Sequence, residues 1–337
     1  MKQGILLLIG VTLMCTIEIE EEKNMKVAII GAGSLGCALA GLFSQGGADV
    51  TVYDRNETVL DTIRRQGVTI KMKERTIQSS RIAAESLPGD LRSYDLVCVA
   101  VKSTQTEYLM GELMGSAGQD TVFFTMQSGL DNTDLLAAYV PRNHILCGMG
   151  FWTMEQKAYG EVKLCTLPER PVELAMLEAG RDAKGLLKDV RKTFEKAGFS
   201  AEIRKEPKPV LWKNAIFQSG LQPVVTALRL KIGTIASDEN GQWLMQHIWK
   251  EGCNISRAEG VEDLWPTFQK LLPELEEHMG DCSCAMAEDL LIHHRHTEIA
   301  ALNEVIISRG KKLGVPTPVN QSILHMILAM QSNMKTV

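Results

Sequence analysis

Residues 25–55, MKVAIIGAGSLGCALAGLFSQGGADVTVYDR, decide the fold of this chain. A short apolar strand is followed by the turn GAGSLG at 31–36, an apolar helix, and a second strand at 49–53. A strand, a tight turn and a helix that leads to a second strand form a βαβ unit, and such units build parallel sheets. The stretch therefore predicts that a parallel sheet begins at Met25.

The glycines of this turn have the G-x-G-x-x-G spacing that is typical of dinucleotide-binding proteins. Gly31 allows the tight turn, Gly33 lets the backbone approach a pyrophosphate, and Gly36 lets the helix pack against the strand. The phosphates would meet the N-terminus of the helix. The residues predicted here to bind the cofactor are Gly31, Ala32, Gly33, Ser34, Leu35 and Gly36.

The end of the second strand bears on the choice of cofactor. An acidic residue there binds the ribose hydroxyls of NAD, whereas a cation binds the 2′-phosphate of NADP. The sequence has both, as Asp54 and Arg55. From these two residues alone, NAD(H) and NADP(H) both stay open.

Further strands are predicted at 94–101, 120–126 and 144–150, with helices between them. This alternation predicts an α/β fold with a Rossmann-type doubly wound sheet. Ligands of such sheets bind beyond the carboxyl ends of the strands. Lys102 and Ser128 follow two of these strands, so both are predicted to face the cofactor or the substrate. The alternatives are a solvated lysine and a turn serine.

The composition is that of a globular protein without a nucleic-acid surface. The chain of 337 residues is 45% hydrophobic and 23% charged, its net charge is −5, and it has no long basic run. This length favours two domains. Eight cysteines, several of them in apolar runs, predict buried free thiols and a reducing cytoplasm.

The segment 1–24 precedes the predicted sheet. It has a lysine and a short apolar run, as a signal peptide does, but lacks an A-x-A-like cleavage site. The run is too short to span a bilayer comfortably. We therefore interpret it as a leader or upstream extension and expect no membrane association.

The pattern changes from a dinucleotide-binding domain at 25–206 to an all-helical C-terminal domain at 207–337. Within the second domain, LWKNAIFQSGLQPVVTAL at 211–228 predicts a helix. Its apolar stripe consists of Val210, Phe217, Leu221, Val224 and Leu228. Three amides, Asn214, Gln218 and Gln222, recur every fourth residue and therefore lie on one face.

Histidines and cysteines cluster between His278 and His296, but their spacing matches no structural zinc pattern, and no metal is predicted. Glu298 follows this cluster at the start of a long predicted helix. A glutamate in that place is either a functional residue or a partner of the helix dipole.

Together these residues resemble the ketopantoate reductase (2-dehydropantoate 2-reductase) family, from Met25 to the C-terminal helix. The matching blocks are GAGSLG at 31–36, VKSTQT at 101–106, QSGLDN at 127–132 and HTEIAALNEVIISRGKKLGVPTPVN at 296–320. LWKNAIFQSGLQP at 211–223 is a fifth block in altered form.

The resemblance implies a cytoplasmic enzyme in which NADPH gives a hydride to the ketone of a 2-oxo acid. In the namesake reaction, 2-dehydropantoate becomes D-pantoate on the path to pantothenate. Arg55 would then bind the 2′-phosphate, which favours NADP(H), while Asp54 keeps NAD(H) open. Lys102 and Ser128 would line the nicotinamide side, and Glu298 would contact cofactor and substrate or orient the proton donor. A homodimer stays open.

The altered block changes the implied catalytic residues. When Pro223 is aligned with the proline of the family block, Gln218 and Gln222 stand where the family has asparagines, and Asn214 stands where it has its catalytic lysine. Lys213 lies one residue earlier, about 100° around a helix. We predict that a local bulge near Trp212 lets Lys213 act as proton donor or oxyanion partner.

The substrate-binding serine of the family also has no counterpart. Ala285 occupies its place, with Cys284 directly before it. Both positions are predicted to contact the substrate, together with Asn214 and the two glutamines of the same helix. These substitutions leave two alternatives open. One is a reductase of a related bulky 2-oxo acid or an opine-like substrate, and the other is a non-catalytic NADP(H)-binding sensor.

Overall fold

The computed structural model describes residues 24–86, 88–118, 120–180 and 183–334. The predicted leader therefore lies, apart from Asn24, outside the described residues. Within the described part of the chain, no helix is long and apolar enough to cross a membrane.

Twelve strands form two sheets in the described residues. They are β1 Lys26–Ile30, β2 Asp49–Tyr53, β3 Val68–Lys71, β4 Thr76–Ser79, β5 Ile82–Glu85, β6 Leu96–Val99, β7 Val122–Thr125, β8 Ile145–Met149, β9 Trp152–Ala158, β10 Glu161–Thr166, β11 Val172–Met176 and β12 Ala201–Ile203. The larger sheet has eight strands in the order β12-β11-β8-β7-β6-β1-β2-β5. All its pairs are parallel except β8 with β11.

Thirteen α-helices accompany these strands in the described residues. They are α1 Ser34–Gln45, α2 Glu57–Gln66, α3 Ser103–Leu113, α4 Asn132–Ala137, α5 Ala183–Lys196, α6 Pro207–Leu228, α7 Ile232–Ser237, α8 Glu239–Ala258, α9 Trp265–Phe268, α10 Leu271–Met279, α11 Ala285–Ala287, α12 Val305–Leu313 and α13 Pro318–Ser332. Two π-helical turns, Glu288–Ile292 and Ala300–Glu304, lie between α11 and α12.

The eight-stranded sheet is covered on both faces, as a doubly wound sheet must be. Successive residues of β1 point to opposite faces. Val27 and Ile29 belong to one apolar cluster. Ala28 and Ile30 belong to another. Because both faces need apolar cover, β1 is continuously apolar from Val27 to Ile30 rather than alternating. The predicted fold class, a Rossmann-type sheet followed by a helical region, is confirmed.

The second sheet, with the order β4-β3-β10-β9, was not predicted. Its strands β3 and β4 alternate buried and exposed residues, so they lack the continuous apolar runs that identified the main sheet. The sheet packs on α1, and its strand β9 follows directly after β8 of the main sheet. This placement matters because β9 begins at Trp152, in the wall of the cleft described below.

The helix α6 begins at Pro207, four residues before the predicted start at Leu211, and ends at Leu228 as predicted. Proline suits a first helical turn because its missing N–H has no partner there anyway. Of the predicted apolar stripe, Val210, Phe217, Leu221 and Val224 are buried. Leu228 is 38% exposed, so this last member was wrong. The buried stripe makes α6 the central helix of the C-terminal core.

The cysteines only partly meet the expectation of free thiols. Five are free and buried: Cys37, Cys98, Cys147, Cys253 and Cys284. Cys165 and Cys282 instead form a disulfide between β10 and the loop before α11. Cys15 lies outside the described residues. The pair could not be seen in the sequence because its members are 117 positions apart, and the fold brings their Cα atoms to 6.4 Å, within the range for a disulfide.

A buried glutamate on α8 caps the N-terminus of α13 in the C-terminal core. The carboxylate of Glu251 on α8 accepts hydrogen bonds from the backbone N–H groups of Val319 and Asn320, each at 2.9 Å, and from the Asn320 side chain at 2.7 Å. These are first-turn N–H groups that have no partner within their own helix. The glutamate thus supplies the cap that Thr317 does not.

We predict that Glu251→Ala lowers the free energy of unfolding by about 2–4 kcal/mol, because buried N–H groups lose a charged acceptor. Glu251→Gln should fall between this variant and the wild type. The measurement is urea unfolding followed by circular dichroism. Glu276→Ala, an exposed glutamate on α10, is the matched control and should change stability by less than about 0.5 kcal/mol. Equal stabilities for the 251 and 276 variants would contradict the capping role.

Candidate active site

A cleft of about 480 Å³ lies at the carboxyl ends of β1, β6 and β7. This is the edge at which parallel sheets bind ligands. The main sheet supplies one wall of the cleft, and β9, α6, Ala285 and the segment 295–298 supply the rest. Of the residues singled out from the sequence, those lining the cleft are Gly31, Gly33, Ser34, Leu35, Asp54, Lys102, Ser128, Gln218, Gln222, Ala285 and Glu298.

The glycine loop has the geometry of a phosphate cradle. Gly31 has φ +106°, which only glycine adopts readily. A Cβ at Gly36 would lie 1.7 Å from the carbonyl oxygen of Gly31, so the helix and turn touch there. A Cβ at Gly33, by contrast, would meet nothing within 4 Å. Because protein packing does not require Gly33, its missing side chain leaves room for a group bound above the loop. The residues therefore fit a dinucleotide pyrophosphate.

Asp54 is built into this loop. One carboxylate oxygen accepts the N–H of Ala32 at 2.7 Å, and the other accepts the N–H of Asn56 at 2.8 Å. Arg55 lies outside the cleft lining, where its guanidinium bonds Glu112 and stacks over the ring of Tyr108. The side chains of that ion pair are 62% and 42% exposed, and such pairs contribute little stability. Arg55 is therefore free to turn toward a ligand beside Asp54.

Lys102 stands between two carboxylates at the carboxyl end of β6. Its ammonium binds Asp289 and lies 3.9 Å from Glu298. The other oxygen of Glu298 accepts the backbone N–H of Ser103 at 2.6 Å. Glu298 thus caps the N-terminus of α3, a helix other than the one that it precedes. Lys102 and Glu298, each predicted separately to contact cofactor or substrate, lie close together, and Asp289 is an additional partner.

The end of β7 is fixed by Gln127, which the sequence offered only as the first letter of the QSGLDN block. Its side-chain amide donates to the carbonyl of Val101 at 2.6 Å and to the hydroxyl of Thr106 at 2.9 Å. These contacts hold the segment before Lys102 against the next strand. Ser128 follows, half-buried, in the cleft lining.

The amides of α6 reach across to the sheet. Asn214 donates to the carbonyls of Met126 and Gln127, at 3.4 and 3.2 Å. Gln218 donates to the carbonyl of Trp152 at 3.1 Å and accepts from Gln222 at 3.0 Å. Asn214 and Gln218 therefore tie α6 to the strand ends, while Gln218 and Gln222 line the cleft. Asn214 is not among the lining residues, so its predicted contact with the substrate does not fit this placement.

Lys213 is not in the cleft, and the sequence-based assignment of a catalytic role does not fit its position. Its ammonium binds both oxygens of Glu173 on β11, at 2.8 and 3.0 Å, and the pair is buried. No bulge is needed, because α6 is continuous through this turn and directs Lys213 away from the face that carries Asn214. Arg204 also reaches Glu173, at 3.0 Å.

The two positions at the start of α11 separate in the structure. Ala285 lines the cleft. Cys284 is fully buried behind it, where its thiol contacts the carbonyl of Gln222 and the hydroxyl of Thr226. Burial raises the pKa of this thiol to about 12, so it is an inert packing residue. Contact of Cys284 with a substrate does not fit this placement.

The π-helical turn Glu288–Ile292 carries two buried acids that the sequence reasoning missed. Asp289 is 2% exposed and binds Lys102 and Arg295. Glu288 accepts the N–H of Gln156, and burial raises its pKa to about 7. A π turn holds one extra residue, which breaks the 3.6-residue period that sequence patterns rely on. Arg295 could have been found, since it directly precedes the H-T-E block.

Two family models match the chain. "Ketopantoate reductase PanE/ApbA" matches residues 27–178, and "Ketopantoate reductase PanE/ApbA C terminal" matches residues 208–331. The chain belongs to the ketopantoate reductase family. The predicted family and the prediction of an oxidoreductase of this type are thereby confirmed.

Relatives named 2-dehydropantoate 2-reductase support this membership. That of Streptococcus pyogenes serotype M1 is 24% identical over 312 residues, which is 91% of this chain and 98% of the relative. That of Pyrococcus horikoshii is 25% identical over 310 residues, with 91% and 98% covered.

Solved structures show the same fold. D-mandelate dehydrogenase with NADH and anilino(oxo)acetate superposes with a TM-score of 0.81 at 22% identity, covering 93% of this chain and 100% of that one. The ketopantoate reductase of Ralstonia eutropha gives a TM-score of 0.75 at 23% identity, with the same coverage.

Replacement by alanine should have opposite effects on stability at two glycines of the loop, Gly33 and Gly36. Gly33→Ala should fold with stability equal to or about 0.4–1 kcal/mol above the wild type, since φ is −73° there and the space is open. It should bind NADPH at least tenfold more weakly, because its methyl group enters the pyrophosphate space. Gly36→Ala should lose about 1–3 kcal/mol of stability through overpacking. Thermal unfolding and a fluorescence titration with NADPH measure both. Wild-type NADPH affinity in Gly33→Ala would contradict the cradle.

The position of Lys213 predicts a structural role that a double-mutant cycle can isolate. Lys213→Met should cost about 1–3 kcal/mol, less than is usual for a broken buried pair, because Arg204 still faces Glu173. Combining it with Glu173→Gln should recover part of that loss. Urea unfolding gives the energies, and the turnover of the single variant should stay within about threefold of wild type. A folded Lys213→Met protein without turnover would restore Lys213 to catalysis.

Proposed function

We propose that the protein reduces the ketone of a 2-oxo acid with NADPH, and that 2-dehydropantoate, reduced to D-pantoate, is its substrate. The observation that carries this proposal is the cleft itself. Residues of the glycine loop line it together with Asp54, Lys102, Ser128, Gln218, Gln222, Ala285 and Glu298. The names of the relatives that match over 91% of this chain supply the substrate.

NADPH is proposed as the cofactor on the strength of Arg55. A reduced nicotinamide, when bound, supplies the hydride. The glycine loop would hold its pyrophosphate at the N-terminus of α1, which has no acidic residue in its first turn to repel an anion. Arg55 can leave its exposed contact with Glu112 to pair with a 2′-phosphate, and a bidentate contact of this kind favours arginine. Asp54 would take the ribose hydroxyls.

A bulkier 2-oxo acid is the second candidate, because the cleft wall has changed. Glutamines stand at 218 and 222 where the family has asparagines, and Gln218 bonds the backbone of Trp152, which lines the cleft together with Met154. This apolar surface suits a substrate with a large apolar substituent. Phenylglyoxylate, the 2-oxo acid that corresponds to mandelate, is therefore the second test substrate. A cytoplasmic location and a homodimer stay predictions.

The test is the initial rate of NADPH and NADH oxidation with 2-dehydropantoate and with phenylglyoxylate, in the wild type and in Arg55→Ala. We expect the highest kcat/KM for NADPH with 2-dehydropantoate. Arg55→Ala should lower kcat/KM for NADPH about 10- to 100-fold, because a charged hydrogen bond is lost, and should change that for NADH by less than about twofold. Arg64→Ala, an exposed arginine on α2, is the matched control.

Each contrary result points to a stated alternative. Faster reduction of phenylglyoxylate would replace pantoate formation with reduction of a bulky 2-oxo acid. An Arg55→Ala variant that loses NADH and NADPH turnover equally would remove the argument for NADPH. Tight NADPH binding without turnover of either substrate would favour the sensor.

A further inference from the structure

One buried carboxylate fixes two cations at the wall of the cleft. Asp289 is 2% exposed, one of its oxygens binds the ammonium of Lys102, and the other binds Nε of Arg295 at 2.5 Å. Both cations line the cleft. Their side chains are 30% and 53% exposed, so they are anchored from behind and open toward a ligand.

The α6 side of the cleft has no comparable charge. Asn214 stands in the place of the family lysine and donates hydrogen bonds to the carbonyls of Met126 and Gln127. An amide carries no positive charge and does not act as a general acid. Lys213 is bound to Glu173 in the interior. Among the described residues that line the cleft, the side chains with a permanent positive charge are Lys102 and Arg295.

The pair matches the chemistry of a 2-oxo acid. Such a molecule presents a carboxylate directly beside its ketone oxygen. Arg295 uses Nε for Asp289, and within the described residues its two terminal nitrogens have no other hydrogen bond, so they can form a bidentate contact with a carboxylate. Lys102, bound to the other oxygen of the same aspartate, is then the cation available to the neighbouring ketone oxygen.

Resting on the proposed function, we propose that Lys102 is the proton donor to the ketone oxygen, that Arg295 binds the carboxylate of the 2-oxo acid, and that Asp289 positions both. A bound reduced nicotinamide would supply the hydride, breaking its own C–H bond and leaving the ring oxidised, and the ketone carbon would form the new C–H bond. The π electrons of the C=O bond move to oxygen and take a proton from the ammonium of Lys102. The neutral amine regains its proton from water. A positive group aimed at the developing oxyanion stabilises it before the proton moves.

Glu298 has a supporting place in this arrangement. Its carboxylate is 3.9 Å from the Lys102 ammonium and bonds the N–H of Ser103, so it fixes the backbone directly after the lysine. Asp289 acts only through the two cations and is a positioning residue. Its π turn is the element that brings a buried carboxylate to both at once.

Two kinetic constants separate the two cations. Lys102→Met should lower kcat about 100- to 1000-fold, as loss of an oxyanion donor does. Lys102→Arg keeps the charge but does not release a proton readily, and it should recover only part of this loss. Arg295→Met should instead raise KM for the 2-oxo acid about 10- to 100-fold. Lys71→Met, an exposed lysine paired with Glu161 on the small sheet, is the control and should match wild type.

Asp289→Asn should impair both constants, because one neutral amide cannot hold two cations. A merely structural aspartate would lower the amount of folded protein without shifting kcat and KM of the folded fraction. Added ethylamine should restore part of the turnover of Lys102→Ala. It should not restore that of Arg295→Met.

His296 also lines the cleft and is the alternative proton donor, which His296→Gln tests.

A binding measurement tests the cation pair without turnover. Oxalate carries a carboxylate beside a second carboxyl oxygen, as a 2-oxo acid carries its ketone, and calorimetry with NADPH-loaded protein gives its affinity. Arg295→Met and Asp289→Asn should each weaken oxalate binding at least tenfold, and Lys71→Met should not. A wild type that binds oxalate through these residues but reduces no 2-oxo acid would end the proposed function and the proton-donor role of Lys102, and would leave the carboxylate site of Arg295 and Asp289 standing.

Three results would overturn the inference. The first is equal oxalate affinity in all variants, or a wild type that binds no oxalate. The second is turnover of Lys102→Met close to wild type. The third is loss of turnover in His296→Gln with Lys102→Met active, which would assign the proton to the histidine.

Discussion

The close approach of α1 to the first turn is the constraint on which the rest of the site depends. A Cβ at Gly36 would lie 1.7 Å from the carbonyl oxygen of Gly31, so only a glycine lets the helix rise directly from the strand. The N–H of Gly31 bonds the carbonyl of Tyr53, which ties the turn to β2. Together these contacts direct the N-terminus of α1 and its unpaired N–H groups to the edge of the sheet. The segments after β6 and β7 leave at that same edge, so one backbone constraint places the cofactor loop beside the polar residues of the cleft.

A second level of organisation comes from hydrogen bonds between neutral amides and backbone carbonyls. Gln127 ties the end of β7 to the segment before Lys102. Asn214 and Gln218 tie α6 to the ends of β7 and β9. Carbonyl groups at strand ends need partners when they are buried, and an amide satisfies them without the desolvation cost of a charge. The amide ladder thus has a structural cause that is independent of any substrate. The same groups still leave polar atoms facing the cleft.

The sequence predicted the parts of this protein whose local pattern has one physical meaning. The glycine loop, β1 and the stripe of α6 follow from spacing and burial alone. The small sheet was missed because β3 and β4 are only four residues long and carry at most two apolar residues each, too few for a clear alternation. Asp289 was missed because its π turn departs from the 3.6-residue period. The error about Lys213 has a different origin. A lysine next to a family position suggested a shifted role, but the 100° between successive helical residues turns it toward Glu173, and only the tertiary structure shows that this buried carboxylate is there. Local patterns specify faces, whereas partners across the core come from non-adjacent segments.

The distribution of charge in the cleft follows from the burial of Lys213 against Glu173 and the presence of Asn214 in the lysine position. Once α6 carries an amide in the lysine position, no cation reaches the cleft from that helix, and a 2-oxo acid would still bring a carboxylate and a developing oxyanion. Lys102 and Arg295 stand on the opposite side, and each would be costly to hold near the other without a counterion. Asp289 supplies that counterion from a buried position where its effect is not screened by solvent. In the proposed arrangement the sheet edge and the π turn therefore bind the charged end of the substrate. The helix α6 contacts the uncharged part of the substrate. The larger glutamines of α6 then act on the substituent of the 2-oxo acid rather than on its reacting carbonyl.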